Sequence, residues 1–304
     1  MAGRSMSRIV VTGGGGFVGR SVIPWLVAAG HDVHLIGRHD GAAPKCTFHH
    51  VDLLDRDAAA VLLAISADTM LHLAWYAKPG AFWHAPENLD WIAASLGLVR
   101  GFAAAGGRRL VVAGSCAEYD WGYLEPDEGR TPLRPHTLYG TSKLSLYAAL
   151  IAAAVPLGLS LGWGRIFFPY GPGEAAGRLF SAIVDGVGSG TAVNCTAGWQ
   201  SRDFMHVDDV GAALAALAVS SVTGAVNIAQ GSVVRVRDFA TMVARLAGNA
   251  DLLRLGARPM QTGEPIYMAP RIARLRDEVG FVPSFDLAGG LVDAVARRID
   301  ARPR

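Results

Sequence analysis

Short apolar runs alternate along the chain with longer segments in which apolar residues recur at helical spacing. The runs that predict strands fall at about 8–12, 32–36, 47–51, 69–73, 109–113 and 159–167. The segments between them predict helices, including one from about 88 to 105. Strands that alternate with helices are typical of a parallel sheet covered on both faces. The pattern therefore predicts an α/β fold with a doubly wound parallel (Rossmann) sheet.

The longest uncharged stretch covers residues 144–164. About 20 apolar residues are enough for a helix to cross a membrane, so length alone would allow a spanning segment. Pro156 and Gly158 interrupt the stretch, however, and favour a turn. We therefore predict a buried helix to about residue 155, a turn, and a buried strand over 159–168, with no membrane segment.

The first predicted strand ends in a glycine-rich turn that opens the next helix. Its spacing is G-x-x-G-x-x-G, one residue off the usual G-x-G-x-x-G. A diphosphate can reach the helix N-terminus only where side chains do not block the turn, and glycines meet that need. A merely flexible loop is the alternative. The predicted cofactor-binding residues here are Thr12, Gly13, Gly16, Phe17, Val18 and Gly19.

The end of the second strand selects between cofactors. An acidic residue that binds the ribose of NAD is common there, but this chain has Arg38. Since arginine makes charge-assisted bonds to phosphate, Arg38 favours a 2′-phosphate and hence NADP(H). NAD(H) stays open, because Asp40 is nearby and Arg38 could be solvated. After the third strand, Asp52, followed by Leu53, could reach the adenine amino group or cap a helix that begins near Arg56.

Three residues are candidates for the chemistry. Tyr139 and Lys143 lie at i and i+4, on one face of a predicted helix. A free phenol has a pKa of about 10, and we expect the ammonium of Lys143 to lower it. Lys143 can also bind the nicotinamide ribose. Ser115 follows a strongly apolar strand, where α/β sheets place ligand contacts, and could polarise the same substrate oxygen.

The chain resembles the extended short-chain dehydrogenase/reductases, the group of nucleotide-sugar epimerases, dehydratases and reductases. The similar segments are 12–19, 72–74, 114–119, 139–143, 165–172, 200–209 and 226–229. The resemblance implies that Leu73 and Ala74 lie beside the cofactor and that Arg202 contacts the diphosphate of a sugar nucleotide. Pairing of Arg202 with Asp203 or Asp208 is the alternative. The other candidate substrate contacts are Cys116, Phe168 and Arg178.

At several positions this chain departs from the motifs of that family, and these departures reduce the number of reactions expected of it. Sugar dehydratases place an acid and a base directly after the catalytic residue, where this chain has Cys116 and Ala117. Glu118 comes one step later and is expected to face the other way. Epimerase-reductases use a cysteine two residues after the serine, so Cys116 is a doubtful equivalent. Phe168 replaces a common asparagine, which suggests a more apolar sugar such as a 6-deoxy sugar.

These features favour NADPH-dependent reduction of the 4-keto group of a nucleotide-linked 4-keto-6-deoxyhexose. Tyr139 would protonate the substrate oxygen while Ser115 holds it. A 4-epimerase with a tightly held NAD uses the same residues and is the first alternative. A non-catalytic NADP-binding regulator is the second.

Composition is that of a soluble enzyme. The net charge of +2 comes from scattered residues and indicates neither a nucleic acid nor a membrane partner. The three cysteines are widely spaced and show no metal-ligand pattern, so no metal is expected and a reducing cytoplasm is. The first residues lack the apolar core of a signal peptide.

The length predicts more than one lobe. We expect a dinucleotide-binding domain over 1–168, with 201–231 returning to it, and a smaller C-terminal substrate lobe over 169–200 and 232–304. The resemblance implies a homodimer in which the helix after Tyr139 packs on its counterpart, or burial of that helix within one chain. The residues concerned are Leu146, Ala149, Leu150 and Ala153. An aromatic segment at 75–83 either covers the active site or simply packs its loop.

Overall fold

The computed structural model describes residues 6–39, 44–260 and 263–301. The strands are β1 (Arg8–Thr12), β2 (Asp32–Gly37), β3 (Thr47–His50), β4 (Thr69–His72), β5 (Arg109–Ser115), β6 (Ser160–Ile166), β7 (Phe168–Tyr170), β8 (Val193–Asn194), β9 (Ser201–Arg202), β10 (Phe204–His206), β11 (Gly224–Ile228), β12 (Val234–Arg235), β13 (Leu253–Arg254) and β14 (Tyr267–Met268). The α-helices are α1 (Phe17–Ala28), α2 (Ala60–Ile65), α3 (Glu87–Ala104), α4 (Leu138–Ala154), α5 (Leu179–Gly188), α6 (Val207–Val219), α7 (Val236–Leu246) and α8 (Leu287–Asp300).

A seven-stranded parallel sheet forms the centre of the molecule. Its strand order is β11-β6-β5-β4-β1-β2-β3. The chain adds strands first on one side of β1 and then, from β4 onwards, on the other side, so the order of the strands switches between β1 and β4. The inner strands β4 and β5 are buried along their whole length, as strands of a parallel sheet covered on both faces must be. The predicted α/β class is confirmed, and each of the six predicted strands lies within two residues of the observed one.

Alternate residues of each strand point to opposite faces of the sheet. Both faces are apolar here, and helices cover both of them. Val10 of β1 belongs to a core shared with α2, α3 and α4, whereas its neighbour Val11 belongs to a core shared with α1 and α6. Because the three strands are parallel neighbours, the carboxyl ends of β1, β4 and β5 meet at one edge of the sheet, between the two helix layers. Ligands of open α/β sheets bind at that edge.

The uncharged stretch folds as α4 followed by β6, as predicted. Leu146 and Leu150 are buried in the core of the chain itself, which confirms for these two residues the alternative of burial within one chain and excludes them from a dimer interface. Ala149 is exposed and Ala153 is half-buried. Across residues 6–39, 44–260 and 263–301, no helix combines the length and the apolar character needed to cross a bilayer.

A further core lies among α5, α7 and α8. Its buried side chains include Phe180, Phe239 and Leu291, one from each helix. Short strands border this core, among them β9 with its neighbours β12 and β14. The lobe boundaries drawn from the sequence, with residues 1–168 and 201–231 on one side, stay a prediction.

Candidate active site

The glycine-rich turn connects β1 to α1 and leaves no room for side chains. Gly13 has a φ of 71°, and a Cβ there would lie 2.8 Å from the backbone nitrogen of Ala74. A Cβ on Gly19 would collide with the backbone oxygen of Gly13. Gly16 is the N-cap of α1. The turn thus presents bare backbone and a helix N-terminus, which fits the diphosphate of a nicotinamide dinucleotide.

Thr12 serves this turn indirectly. Its hydroxyl accepts hydrogen bonds from the backbone N–H groups of Leu73 and Ala74, both at 3.1 Å, and lies 2.7 Å from Nδ1 of His72. The side chain is fully buried, so the prediction that Thr12 itself binds the cofactor is corrected. It holds the end of β4 against β1. Burial, together with the charge of Lys143, lowers the pKa of His72 to about 3 and keeps its ring neutral.

A cavity of about 560 Å³ lies where the adenosine end of a dinucleotide would bind. The predicted residues Arg38, Asp52 and Leu53 line it, while Asp40 lies outside the described residues. Two further cations on its wall, Arg20 and Lys78, were not predicted. Arg20 directly follows the last glycine of the turn, a position that could have identified it.

Asp52 does not cap a helix in this structure. Its carboxylate accepts a hydrogen bond from the backbone N–H of Leu54 at 3.1 Å, and α2 begins only at Ala60. The predicted helix near Arg56 is therefore wrong, and the carboxylate stays on the wall of the adenosine-end cavity.

A second cavity, of about 340 Å³, contains the three predicted catalytic residues, and we call it the catalytic cavity. It adjoins the glycine turn and ends against the start of β7. The predicted residues that line it are Gly13, Gly16, Phe17, Val18, Gly19, Leu73, Ala74, Ser115, Cys116, Tyr139, Lys143, Phe168 and Arg178. These predicted residues thus lie around one site, where β1, β4 and β5 end beside the first turns of α4. Burial raises the pKa of the Cys116 thiol to about 12, so the thiol stays protonated.

Ser115 is oriented by its own chain. Its hydroxyl oxygen accepts a hydrogen bond from the backbone N–H of Ala117 at 3.2 Å. Its backbone N–H donates to the Glu118 carboxylate at 2.7 Å, completing a reciprocal cap. Because the oxygen already accepts a bond on one side, the hydroxyl proton is free to be donated into the cavity, towards Tyr139 or a substrate oxygen.

Tyr139 lies in the first turn of α4, which Thr137 caps by accepting the backbone N–H of Gly140 at 3.1 Å. Burial raises the pKa of the Tyr139 phenol, and a hydrogen bond with the Ser115 side chain opposes the rise. The expected lowering by Lys143 is not seen. The phenol is therefore protonated at neutral pH, which suits a proton donor.

Lys143 is buried, with 3% of its surface exposed. Its ammonium donates to the backbone oxygen of Ala113 at 2.8 Å and lies 3.8 Å from the ring centre of Trp75. Burial lowers its pKa to about 7, while the charge of Glu118 raises it. The ammonium thus contacts a carbonyl oxygen and an indole face, and neither carries a countercharge.

The residue that orients Ser115, Glu118, belongs to a buried ion pair that sequence reasoning missed. Its carboxylate accepts a bond from Arg165 Nε at 2.7 Å, and the two side chains are 0% and 1% exposed. Trp163 Nε1 also donates to it, at 3.0 Å. Glu118 thus faces β6, behind Ser115, and is not on the described wall of the catalytic cavity.

The aromatic loop between β4 and α3 lines the catalytic cavity with Trp75, Phe82 and Trp83. Asn88, which is fully buried, holds the loop. Its amide nitrogen donates to the backbone oxygens of Phe82 and Ala85, and its amide oxygen accepts from Trp75 Nε1, all at 2.8 Å. The loop therefore both packs and covers the site.

A third cavity, of about 350 Å³, lies between β7 and helices α5 and α7 and contains Arg202. Arg202 pairs with Glu264 at 2.9 Å, so the alternative partners Asp203 and Asp208 were wrong. Asp203 instead accepts the backbone N–H groups of residues 230 and 231. Phe168, Pro169 and Arg178 line both this cavity and the catalytic one, so the two are neighbours that share one wall.

Comparison with known proteins agrees with this geometry. A model of the NAD dependent epimerase/dehydratase family matches residues 9–229. The dTDP-6-deoxy-L-talose 4-dehydrogenase (NAD(+)) of Aggregatibacter actinomycetemcomitans is 28% identical over 73% of this chain and 84% of its own. The 3-diazoavenalumate denitrifying reductase of a Streptomyces species is 31% identical over 87% and 86%. The crystal structure of Thermus thermophilus UDP-glucose 4-epimerase in complex with NAD superposes with a TM-score of 0.87, at 24% identity, over 97% of this chain and 100% of that one.

Proposed function

We propose that this chain, which belongs to the NAD dependent epimerase/dehydratase family, is an NADPH-dependent reductase of a keto group on a nucleotide-linked sugar. The substrate best suited to the site is an NDP-4-keto-6-deoxyhexose. The observation that carries the proposal is the pair of arginines, Arg20 and Arg38, on the wall of the adenosine-end cavity. Two guanidinium groups there would bind a 2′-phosphate, which NADPH has and NADH lacks.

Two features would hold the cofactor, the bare backbone of the glycine turn and the charge of Lys143. The bare turn at Gly13, Gly16 and Gly19 fits the diphosphate, and Lys143 lies within the catalytic cavity beside Ala113. When bound, the nicotinamide supplies the hydride that reduces the carbonyl carbon.

The protein's own residues handle the substrate oxygen and the proton. Ser115 donates its hydroxyl proton in a hydrogen bond to the carbonyl oxygen, since its own oxygen is occupied by the Ala117 N–H. Tyr139, held protonated by its buried setting, transfers its phenolic proton to the same oxygen as negative charge develops there. Lys143 holds a positive charge close to that centre when it is protonated.

The substrate would extend from the catalytic cavity into the cavity that contains Arg202. Arg178 lies on the wall shared by the two, and Arg202 lies beyond it, 5.3 Å from the Phe168 ring. These cations suit a diphosphate. Phe168 gives the sugar end an apolar wall, which favours a deoxy position over a hydroxyl. A related protein named as a 6-deoxytalose 4-dehydrogenase supports this choice, since the reverse of that oxidation is reduction of a 4-keto group.

The test is oxidation of NADPH, followed by its absorbance, with a panel of nucleotide-linked 4-keto-6-deoxy sugars and with NADH in parallel. Consumption of NADPH by one sugar and slower use of NADH would support the proposal. A purified protein that already contains NAD and interconverts sugar epimers without net NADPH use would identify the 4-epimerase instead. Binding of NADPH with no turnover of any sugar would favour a non-catalytic regulator.

We also propose a cytoplasmic homodimer formed through α4. Its outward face carries the exposed residues Ala149, Ile151, Ala152 and Val155, and Val155 is 87% exposed. An apolar helix face of this kind is typical of an interface. Light scattering should show a dimer, and Val155→Glu should shift it towards a monomer; a monomeric parent protein would refute the interface.

A further inference from the structure

The wall of the catalytic cavity is strongly aromatic. The aromatic side chains that line it are Phe17, Trp75, Phe82, Trp83, Tyr139, Phe167 and Phe168. Among the described residues there, the polar side chains outside the catalytic three are Cys116, Arg178 and the two indoles. Trp75 already donates its N–H to Asn88, and Arg178 lies 3.5 Å from Glu174. The wall of this cavity is thus more aromatic than polar, which favours a ligand that presents an aryl ring.

The rings nearest the proton donor are oriented for a flat ligand. Phe82 and Trp83 have ring centres 4.9 and 5.8 Å from that of Tyr139, and both stand nearly perpendicular to it, at 86° and 88°. They are only 33° from parallel with each other, with centres 4.3 Å apart. Together they make an apolar wall directly beside the phenol. An aryl ring packs on such a wall by offset stacking or by edge-to-face contact.

The wall is fixed in place before any ligand arrives. Asn88 ties Phe82 and Trp75 through the bonds described above, and the backbone N–H of Tyr139 donates to the backbone oxygen of Trp83 at 3.0 Å. The aromatic loop is therefore attached to the helix that carries the catalytic tyrosine. A rigid wall pays little ordering entropy when a ligand binds, which strengthens recognition of a flat group.

We infer that the catalytic cavity binds flat aryl carbonyl compounds that carry no nucleotide, with the carbonyl oxygen beside Ser115 and Tyr139 and the ring against Phe82 and Trp83. This goes beyond the proposed function, since the cation-lined cavity around Arg202 is not needed for it. A planar ring packs on the aromatic wall, and its carbonyl uses the same two hydroxyl groups as a keto sugar would.

The test compares two ketones that differ only in the saturation of their ring, acetophenone and cyclohexyl methyl ketone. Binding is measured by isothermal titration calorimetry on the whole protein, alone and with NADP+ present. We expect acetophenone to bind about tenfold more tightly, a ratio that corresponds to about 1.4 kcal/mol. Equal affinities for the two ketones, or no binding of either, would overturn the inference.

Two variants locate the ring. Phe82→Leu removes the aromatic face at nearly constant volume, and Phe168→Asn adds an amide to the far wall; both should weaken acetophenone binding and bring the two ketones closer in affinity. Trp25→Leu, on the exposed part of α1, is the matched control and should leave both affinities unchanged. Circular dichroism establishes that each variant is folded. Undiminished acetophenone binding in both folded variants would refute the assignment.

The outcome is separable from that of the proposed function. On the proposed function, turnover of keto-sugar nucleotides would require Arg202 and the cavity around it. Binding of a simple ketone would not. Aryl binding without any sugar turnover would leave this inference standing while the proposed sugar substrate fails. Turnover of a keto-sugar nucleotide without binding of acetophenone would refute this inference and leave the proposed function intact.

Discussion

Replacing Lys143 with methionine should make the folded protein more stable while it impairs catalysis. The ammonium is 3% exposed, and its contacts are one carbonyl oxygen, of Ala113, and the face of Trp75. Neither contact carries a full negative charge. Burial therefore lowers the pKa of Lys143 from 10.5 to about 7, which means that folding disfavours its charged form. Methionine has a similar length and no charge to desolvate.

The size and the pH dependence of this effect follow from linkage. One pKa unit corresponds to about 1.4 kcal/mol, so the depressed pKa of Lys143 implies a cost of up to about 5 kcal/mol at and below the folded pKa. As pH rises from about 7 towards 10.5, the folded protein loses this proton before the unfolded chain does, and the cost disappears. The free energy of unfolding of the parent should therefore rise, relative to Lys143→Met, by about 2 kcal/mol between about pH 7 and 9.

The assay is urea unfolding, followed by tryptophan fluorescence, at several pH values across that range. Lys78→Met is the matched control, because it removes an exposed lysine in place of a buried one. Parallel pH profiles for the parent and Lys143→Met would refute the reasoning. They would mean that Lys143 is solvated or paired in solution and is not a buried cation.

Four other changes test the site. Tyr139→Phe should lower kcat by about a hundredfold or more while NADPH affinity, measured by fluorescence, is unchanged; retained turnover would remove the proton-donor role. Arg38→Asp should raise the KM for NADPH about ten- to a hundredfold and leave that for NADH nearly constant, and equal effects would argue against a 2′-phosphate contact. Glu118→Gln should destabilise the fold by about 3–5 kcal/mol, because it leaves Arg165 buried and unpaired. We also expect kcat to change with pH as Lys143 ionises, and Glu118→Gln should move that change to lower pH because the Glu118 charge raises the pKa of the lysine. An unchanged pH profile of kcat would contradict this coupling. Arg202→Ala should raise the KM for a sugar nucleotide about tenfold with little change for NADPH, and an unchanged KM would place the diphosphate elsewhere.

Local features of the chain were the ones that could be predicted. The six strands and α4 follow from apolar periodicity, which depends on near neighbours in sequence. The turn at Gly13, Gly16 and Gly19 follows from the need for bare backbone, which any strand–turn–helix unit of this spacing shares. Since the strands of a parallel sheet end at one edge, the position of Ser115 at the end of β5 could be predicted from the apolar pattern, and the spacing of Tyr139 and Lys143 placed both on one face of α4.

Predictions failed where a side chain's partner lies far away in sequence. The alternative that pairs Arg202 with an aspartate of its own segment was wrong, because its partner Glu264 is 62 positions away. Thr12 was assigned to the cofactor, whereas its hydroxyl bonds the backbone after β4, 61 and 62 positions on. Spacing in the sequence identifies candidate partners that are near along the chain. The packing of the folded chain decides which side chains actually make contact.

The sequence alone determined the parallel α/β sheet, the glycine cradle and the three residues that meet in the catalytic cavity. Only the tertiary structure decided their electrostatics. Tyr139 and Lys143 are four residues apart, and their spacing suggested that the lysine lowers the phenol's pKa; burial instead raises the pKa of Tyr139 and lowers that of Lys143. Desolvation is a property of everything packed around a group, and the layers packed around this pair come from residues spread over the whole chain.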